Sequence, residues 1–154
     1  MRASNTQAAT DVSVACRGLP VPEAQGEAGL IARTAEVLAS EVSVQPGEDD
    51  SLTAYFQGTV VSMRALSLAP GLDVLSLTQV LAWDLPVTDQ LRADVEQASG
   101  SSNFGTVKLA VHEVTADVLL HYTFPAGTLS DEALRTMLMM VLGVGAEVGA
   151  RIRG

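Results

Sequence analysis

The sequence predicts an α+β fold: an antiparallel sheet of four to five strands, with helices at the start, middle and end, in the order α-β-β-α-β-β-α. Three observations carry this. Residues 52–85 and 106–124 hold β-branched and aromatic runs with period-two alternation. Residues 27–43, 88–98 and 130–153 hold apolar residues at helical spacing. Glycine, proline or a capping residue stands at almost every boundary between them. Helices beside an antiparallel sheet define the α+β class, and 154 residues suit one domain.

Residues 1–26 are rich in Ala, Ser, Thr, Gln and Gly and lack sustained periodicity, so they read as a flexible tail ahead of a single domain over 27–154. The first helix is expected from Glu27 to Ser43, with Leu30, Thr34, Val37, Leu38 and Glu41 on one face, bordered by Ile31 and Val42. Gln45-Pro46-Gly47-Glu48-Asp49-Asp50 reads as a loop. In 52–68, Gly58 marks a bulge or a break between two short strands. Ala69-Pro70-Gly71-Leu72 fits a type II turn, because glycine tolerates positive φ at the third position. The following strand places Leu75, Leu77, Leu81 and Trp83 on one face and Ser76, Thr78, Val80 and Ala82 on the other.

Thr88 is an N-cap for a helix that turns Leu91, Val95 and Ala98 inward. A second hairpin follows. With Thr115-Ala116 as its turn, Val107 faces Phe124, Leu109 faces Tyr122 and Val111 faces Leu120, which buries one face. Ser130 caps the last helix, Asp131 and Glu132 lie in its first turn, and Arg151 and Arg153 lie in its last, as the helix dipole favours. Leu134, Leu138, Val141, Gly145, Val148 and Ile152 form its stripe. Gly143, Gly145 and Gly149 each cost the helix about 1 kcal/mol against alanine, so another element is expected to approach closely there.

Composition narrows the chemistry. The net charge is −9, and the nine Lys and Arg residues are dispersed, which disfavours direct binding to a phosphate backbone. Mean hydropathy is +0.27, yet the longest apolar runs, such as LMMVLGVGA, fall short of the roughly 18–20 residues of a span, so no membrane segment is expected. The lone Cys16 allows no internal disulfide and suits a reducing compartment. No signal peptide is read at the amino terminus, so the expected location is cytoplasmic.

Both histidines lie in NFGTVKLAVHEVTADVLLHYTFP, residues 103–125. The expected register places His112 and His121 on the face opposite the buried one, across from Leu119 and Ala110. A zinc site needs three or four ligands, and no third is at hand. There is no G-x-S-x-G, H-E-x-x-H, Walker A or G-x-G-x-x-G. No catalytic, metal or cofactor-binding residue is therefore assigned, and no enzymatic activity is expected. Of Met137, Met139 and Met140, most are core filler and one points outward.

The outer sheet face carries few charges, unlike a solvated face. Val80, Ala82, Ala110, Leu119 and His121 are candidate contact residues there, and Met140, Gly145 and Val148 are candidates on the last helix. The helix–hairpin–helix–hairpin–helix order, and a strand closing in proline before LSDEALRTMLMMVLGVGAEVGARI, resemble YbjN-like proteins and, more distantly, class I type III secretion chaperones over residues 27–154. In place of the Asn-rich end of the middle helix common in YbjN-like chains, this sequence has EQASGSSNF. The resemblance implies a non-enzymatic, acidic, cytoplasmic homodimer that binds a client protein or extended peptide. The competing expectation is a small hydrophobic ligand held between the sheet and the last helix.

Overall fold

The structure, a computed structural model, describes residues 26–154. The expected tail, Cys16 included, lies outside the described residues save for Gly26. The elements in chain order are α1 (Gly26–Leu38), β1 (Ser43–Pro46), β2 (Leu52–Phe56), β3 (Thr59–Ala69), β4 (Leu72–Pro86), α2 (Asp89–Ser101), β5 (Thr106–His112), β6 (Thr115–Pro125) and α3 (Asp131–Arg153). Six antiparallel strands form one sheet in the order β1-β2-β3-β4-β6-β5. The three helices pack on one face of it: α1 on β3, α3 on β4 and α2 on β5. The fold is α+β in two layers, as the sequence predicts, with six strands in place of four to five.

Both added strands have local causes. Helix α1 ends at Leu38, not Ser43, and the chain turns so that Glu41 and Val42 amides both donate to the Leu38 carbonyl. Val42 is buried and Val44 packs on the core while Ser43 and Gln45 are exposed. That is period-two spacing of β-branched residues, and it makes β1. Gln57 (φ 45°) and Gly58 (φ 77°) form the two-residue turn between β2 and β3.

Leu30, Thr34, Val37 and Leu38 are the buried face of α1, and Glu41 is exposed beyond the helix. Thr88 and Ser130 cap α2 and α3 by accepting from the Leu91 and Ala133 amides. Leu91, Val95 and Ala98 are buried as expected. Gly71 has φ 79°, in keeping with the turn expected there. By length and composition α3 could cross a bilayer, with mean hydropathy 1.4 over its most apolar window, because alternating glycines do not lower hydropathy as charges would. Here it is the core helix: Leu134, Leu138, Val141, Leu142 and Ala146 are buried against the sheet and α1.

Two registers differ from expectation. The β5–β6 turn is Glu113-Val114, so Val107 pairs with Leu120, Leu109 with Val118 and Val111 with Ala116. The slide of four residues is even and leaves every side chain on its expected face, so alternation alone does not distinguish the two registers. It also moves the histidines' partners: His112 lies opposite Thr115 and His121 opposite Thr106. The second difference is a bulge in β4. Val80 pairs with Leu119 and Ala82 with Val118, leaving Leu81 without a partner in either neighbouring strand. Leu81 and Ala82 are both buried, Ala82 at 1% exposure. Ala82 therefore belongs to the core, not the outer face. Trp83, expected inside, is 55% exposed, and a second irregularity at Asp84 (φ 60°) restores the phase for Leu85.

Candidate interaction surface

The outer face of the sheet is built from cross-strand rows. One row reads Tyr55, Val60, Val80, Leu119 and Lys108 across β2, β3, β4, β6 and β5. Its middle is apolar and half-buried by its own neighbours. The next row reads Thr53, Ser62, Thr78, His121 and Thr106, with no charged residue. There His121 Nδ1 meets Thr78 Oγ1 at 3.1 Å, and Nε2 lies 3.4 Å from Thr123 Oγ1, which donates to Ser76 Oγ at 3.1 Å. Both ring nitrogens face hydroxyls, so the ring sits in a side-chain network.

Charge stays towards the periphery of this face. Arg64 bonds Asp49 at 3.4 Å, Lys108 is on the edge strand, and Asp117 lies beyond the apolar row beside Ala110. Asp117 Oδ1 accepts from the Asp84 amide at 2.9 Å, and Oδ2 lies 3.1 Å from His112 Nε2. The Asp84 amide foremost, then His112, holds the Asp117 carboxyl below the usual carboxylate range. Asp117 thus ties β6 to the second irregularity of β4, at Asp84, with His112 beside it. Among the described residues no three of His, Cys, Asp and Glu converge to hold a metal ion.

Of the three candidates on α3, Gly145 and Val148 are buried within the chain. Gly145 lies against Gln79, whose side-chain amide an added Cβ would strike. Gly149 passes the bulge, where an added Cβ would meet the Leu81 carbonyl at 2.8 Å. Val148 is buried, and only Met140 is open, at 44% exposure. Gly145 and Val148 are thus core contacts, and the close approach expected at the glycines comes from strand β4 of the same chain. Gly143 has nothing near it, and its presence is not explained by packing.

Gln79, in phase with Leu75, Leu77 and Leu81, escaped the sequence reading although its polarity among those leucines was the signal. It is fully buried and donates to Thr59 Oγ1 (2.9 Å) and the Leu142 carbonyl (3.2 Å), while Oε1 has no partner. Flipping the amide would set Oε1 against that carbonyl, so the orientation follows. Arg153 donates to the Leu81 carbonyl freed by the bulge and to Gly58 O at 3.4 Å. The space under α3 is occupied by Leu77, Gln79, Leu138 and Leu142, all fully buried, where the small-ligand reading needs a pocket. The cleft between α2 and α3, about 180 Å³ and lined by Asp94, Gln97, Ala98, Val148, Arg151 and Ile152, is smaller than the roughly 300–1,000 Å³ of common ligand sites.

No family model and no curated protein matches the sequence. Among solved structures, the chain is similar to YbjN. The crystal structure of YbjN from E. coli aligns with a TM-score of 0.47 and 14% identity, over 79% of this chain and 92% of that one. That comparison assigns no residue of this chain a role.

Proposed function

We propose that this chain is a non-catalytic, chaperone-like or adaptor protein of the cytoplasm, a homodimer that takes a segment of a partner protein on its outer sheet face. The observation that carries the reading is the apolar row Tyr55-Val60-Val80-Leu119, central on a face that no helix covers among the described residues. Apolar side chains of a partner would be desolvated there, and the adjoining hydroxyl row offers donors and acceptors without the cost of burying charge. Val80, Leu119, His121 and Ala110 are the contact residues of this reading. Glutamate at Val80 or Leu119 places a charge at the middle of the row while leaving the buried face untouched. Pull-downs from native cell extract should recover a partner with the wild-type chain and lose it with both Val80→Glu and Leu119→Glu, at unchanged circular dichroism. A partner retained by both folded variants would sink the reading.

A further inference from the structure

Three leucines stand exposed at one corner of the sheet, where β3 turns into β4: Leu66 at 44%, Leu68 at 63% and Leu72 at 40%. They are the only exposed leucines among the described residues. Leu66 shares a cross-strand row with Val74 and Pro125, and Leu68 sits at the bulge beside Ser67. Val74 is buried, yet neither it nor the three leucines belong to the connected core under the helices. The corner is thus a separate apolar cluster, and Leu66 and Val74 place it on the outer side of the sheet.

Helix α1 begins at the same corner. The Gly26 amide donates to Asp73 Oδ2 at 3.2 Å, and the Glu27 carboxylate accepts from the Ser67 amide at 2.9 Å. Gly26 shares a groove of about 390 Å³ with Ser67, Leu68 and the turn Ala69-Pro70-Gly71. Beyond Met63, opposite Leu52, no strand flanks β3 on the β2 side. The chain ahead of Gly26 can therefore round that edge from the helix layer to the outer face.

We infer that the chain's own segment Leu19-Pro20-Val21-Pro22 seats on Leu66, Leu68 and Leu72. It stands four to seven residues ahead of Gly26, a reach of roughly 12–22 Å for an extended, proline-containing stretch. Alternating prolines favour that extended form, which lowers the entropy lost on docking, and the short tether keeps the local concentration high. The segment is wholly apolar, as the corner is. Charge matches further along. Asp49 pairs with Arg64, two residues from Leu66 on β3, and Glu48 and Asp50 beside it are exposed. Arg17, two residues ahead of Leu19, brings the opposite charge towards that loop.

Cys16 is the only cysteine of the chain, so a nitroxide attached there to the full chain tests the seat. The spin label should broaden the methyl signals of Leu66 and Leu72 and the amides of Asp49 and Asp50 strongly, and leave those of Val111 and Val114 sharp. Replacing Leu66 and Leu68 together with serine should abolish the broadening at Leu72 with circular dichroism unchanged. Deleting residues 1–22 gives a second readout that needs no label: the Leu66, Leu72 and Val74 methyls should shift while those of Val111 stay in place. The corner lies outside the connected core, so the contact is read locally and not in the melting midpoint. Broadening no stronger at Leu66 and Leu72 than at Val114 overturns the inference, as does a deletion that leaves the corner methyls unmoved. Broadening that appears only between a spin-labelled chain and a separate isotope-labelled chain also overturns it, since the segment would then belong to a second copy.

Discussion

Two glycines two residues apart, on opposite sides of α3, have opposite duties. Gly145 admits the buried Gln79 amide, whereas Gly143 adjoins open space. Gly145→Ala forces Cβ into Gln79 and is expected to lower unfolding stability by about 1–3 kcal/mol, as overpacking does. Gly143→Ala should raise it by about 0.5–1 kcal/mol through helix propensity. Urea midpoints of the two variants check both, and equal shifts would contradict the packing described. Asp117 gives a pH-dependent counterpart. Its folded pKa is depressed, so its contribution is complete above the ordinary carboxylate value, about 3.9, and is lost as pH falls through the lower folded value. The stability gap between wild type and Asp117→Asn should therefore shrink on acidification, and urea melts at several pH values would show it. At this scale the sequence was most readable where one residue has one job: Thr88 and Ser130 as caps, and Leu91, Val95 and Ala98 as an inward face. Gln79 was less so, because its role depends on the helix above it.

Among the elements, β4 and α3 are mated at the bulge. Leu81 has no strand partner, Gly149 lets the helix backbone approach, and Arg153 donates to the released Leu81 carbonyl. Arg153→Ala is expected to cost about 1–2 kcal/mol because it removes a charged donor from that carbonyl, while Arg151→Ala should stay within about 0.5 kcal/mol. Thermal melts of the pair decide it, and equal losses would count against the latch. The bulge is also where sequence reading failed. Strict alternation through β4 puts Ala82 outside and Trp83 inside, and one extra residue reverses both. The candidates Gly145 and Val148 failed for a related reason, since spacing reports a small or apolar helix face without saying which neighbour it meets. The strand at 43–46 was hidden because Val42 and Val44 fit the margin of a helix as well as a strand, whereas the break at Gly58 that makes the strand at 52–56 was read from the sequence.

For the whole molecule, the connected hydrophobic core among the described residues runs from Leu30 to Val148. A chain starting at Glu23 is therefore expected to melt like the full chain, and a large drop in its midpoint would assign the removed residues a part in folding. A net charge of −9 likewise predicts no tight, salt-sensitive DNA binding in a gel-shift assay. The strand order has a further consequence, for the time course of folding. β1 to β4 is a meander of neighbours, and β5–β6 is a hairpin with a two-residue turn, so each can form early from local contacts. β4 and β6 are sheet neighbours although α2 and β5 separate them in the chain. That seam closes the longest loop between paired strands, and its entropy must be met before Leu77 and Tyr122 come together. Truncations along the seam, such as Leu120→Ala, should therefore slow refolding, whereas Leu52→Ala in β2 should chiefly speed unfolding. Stopped-flow chevrons of the two variants would place the rate-limiting step at, or away from, the joining of the two halves.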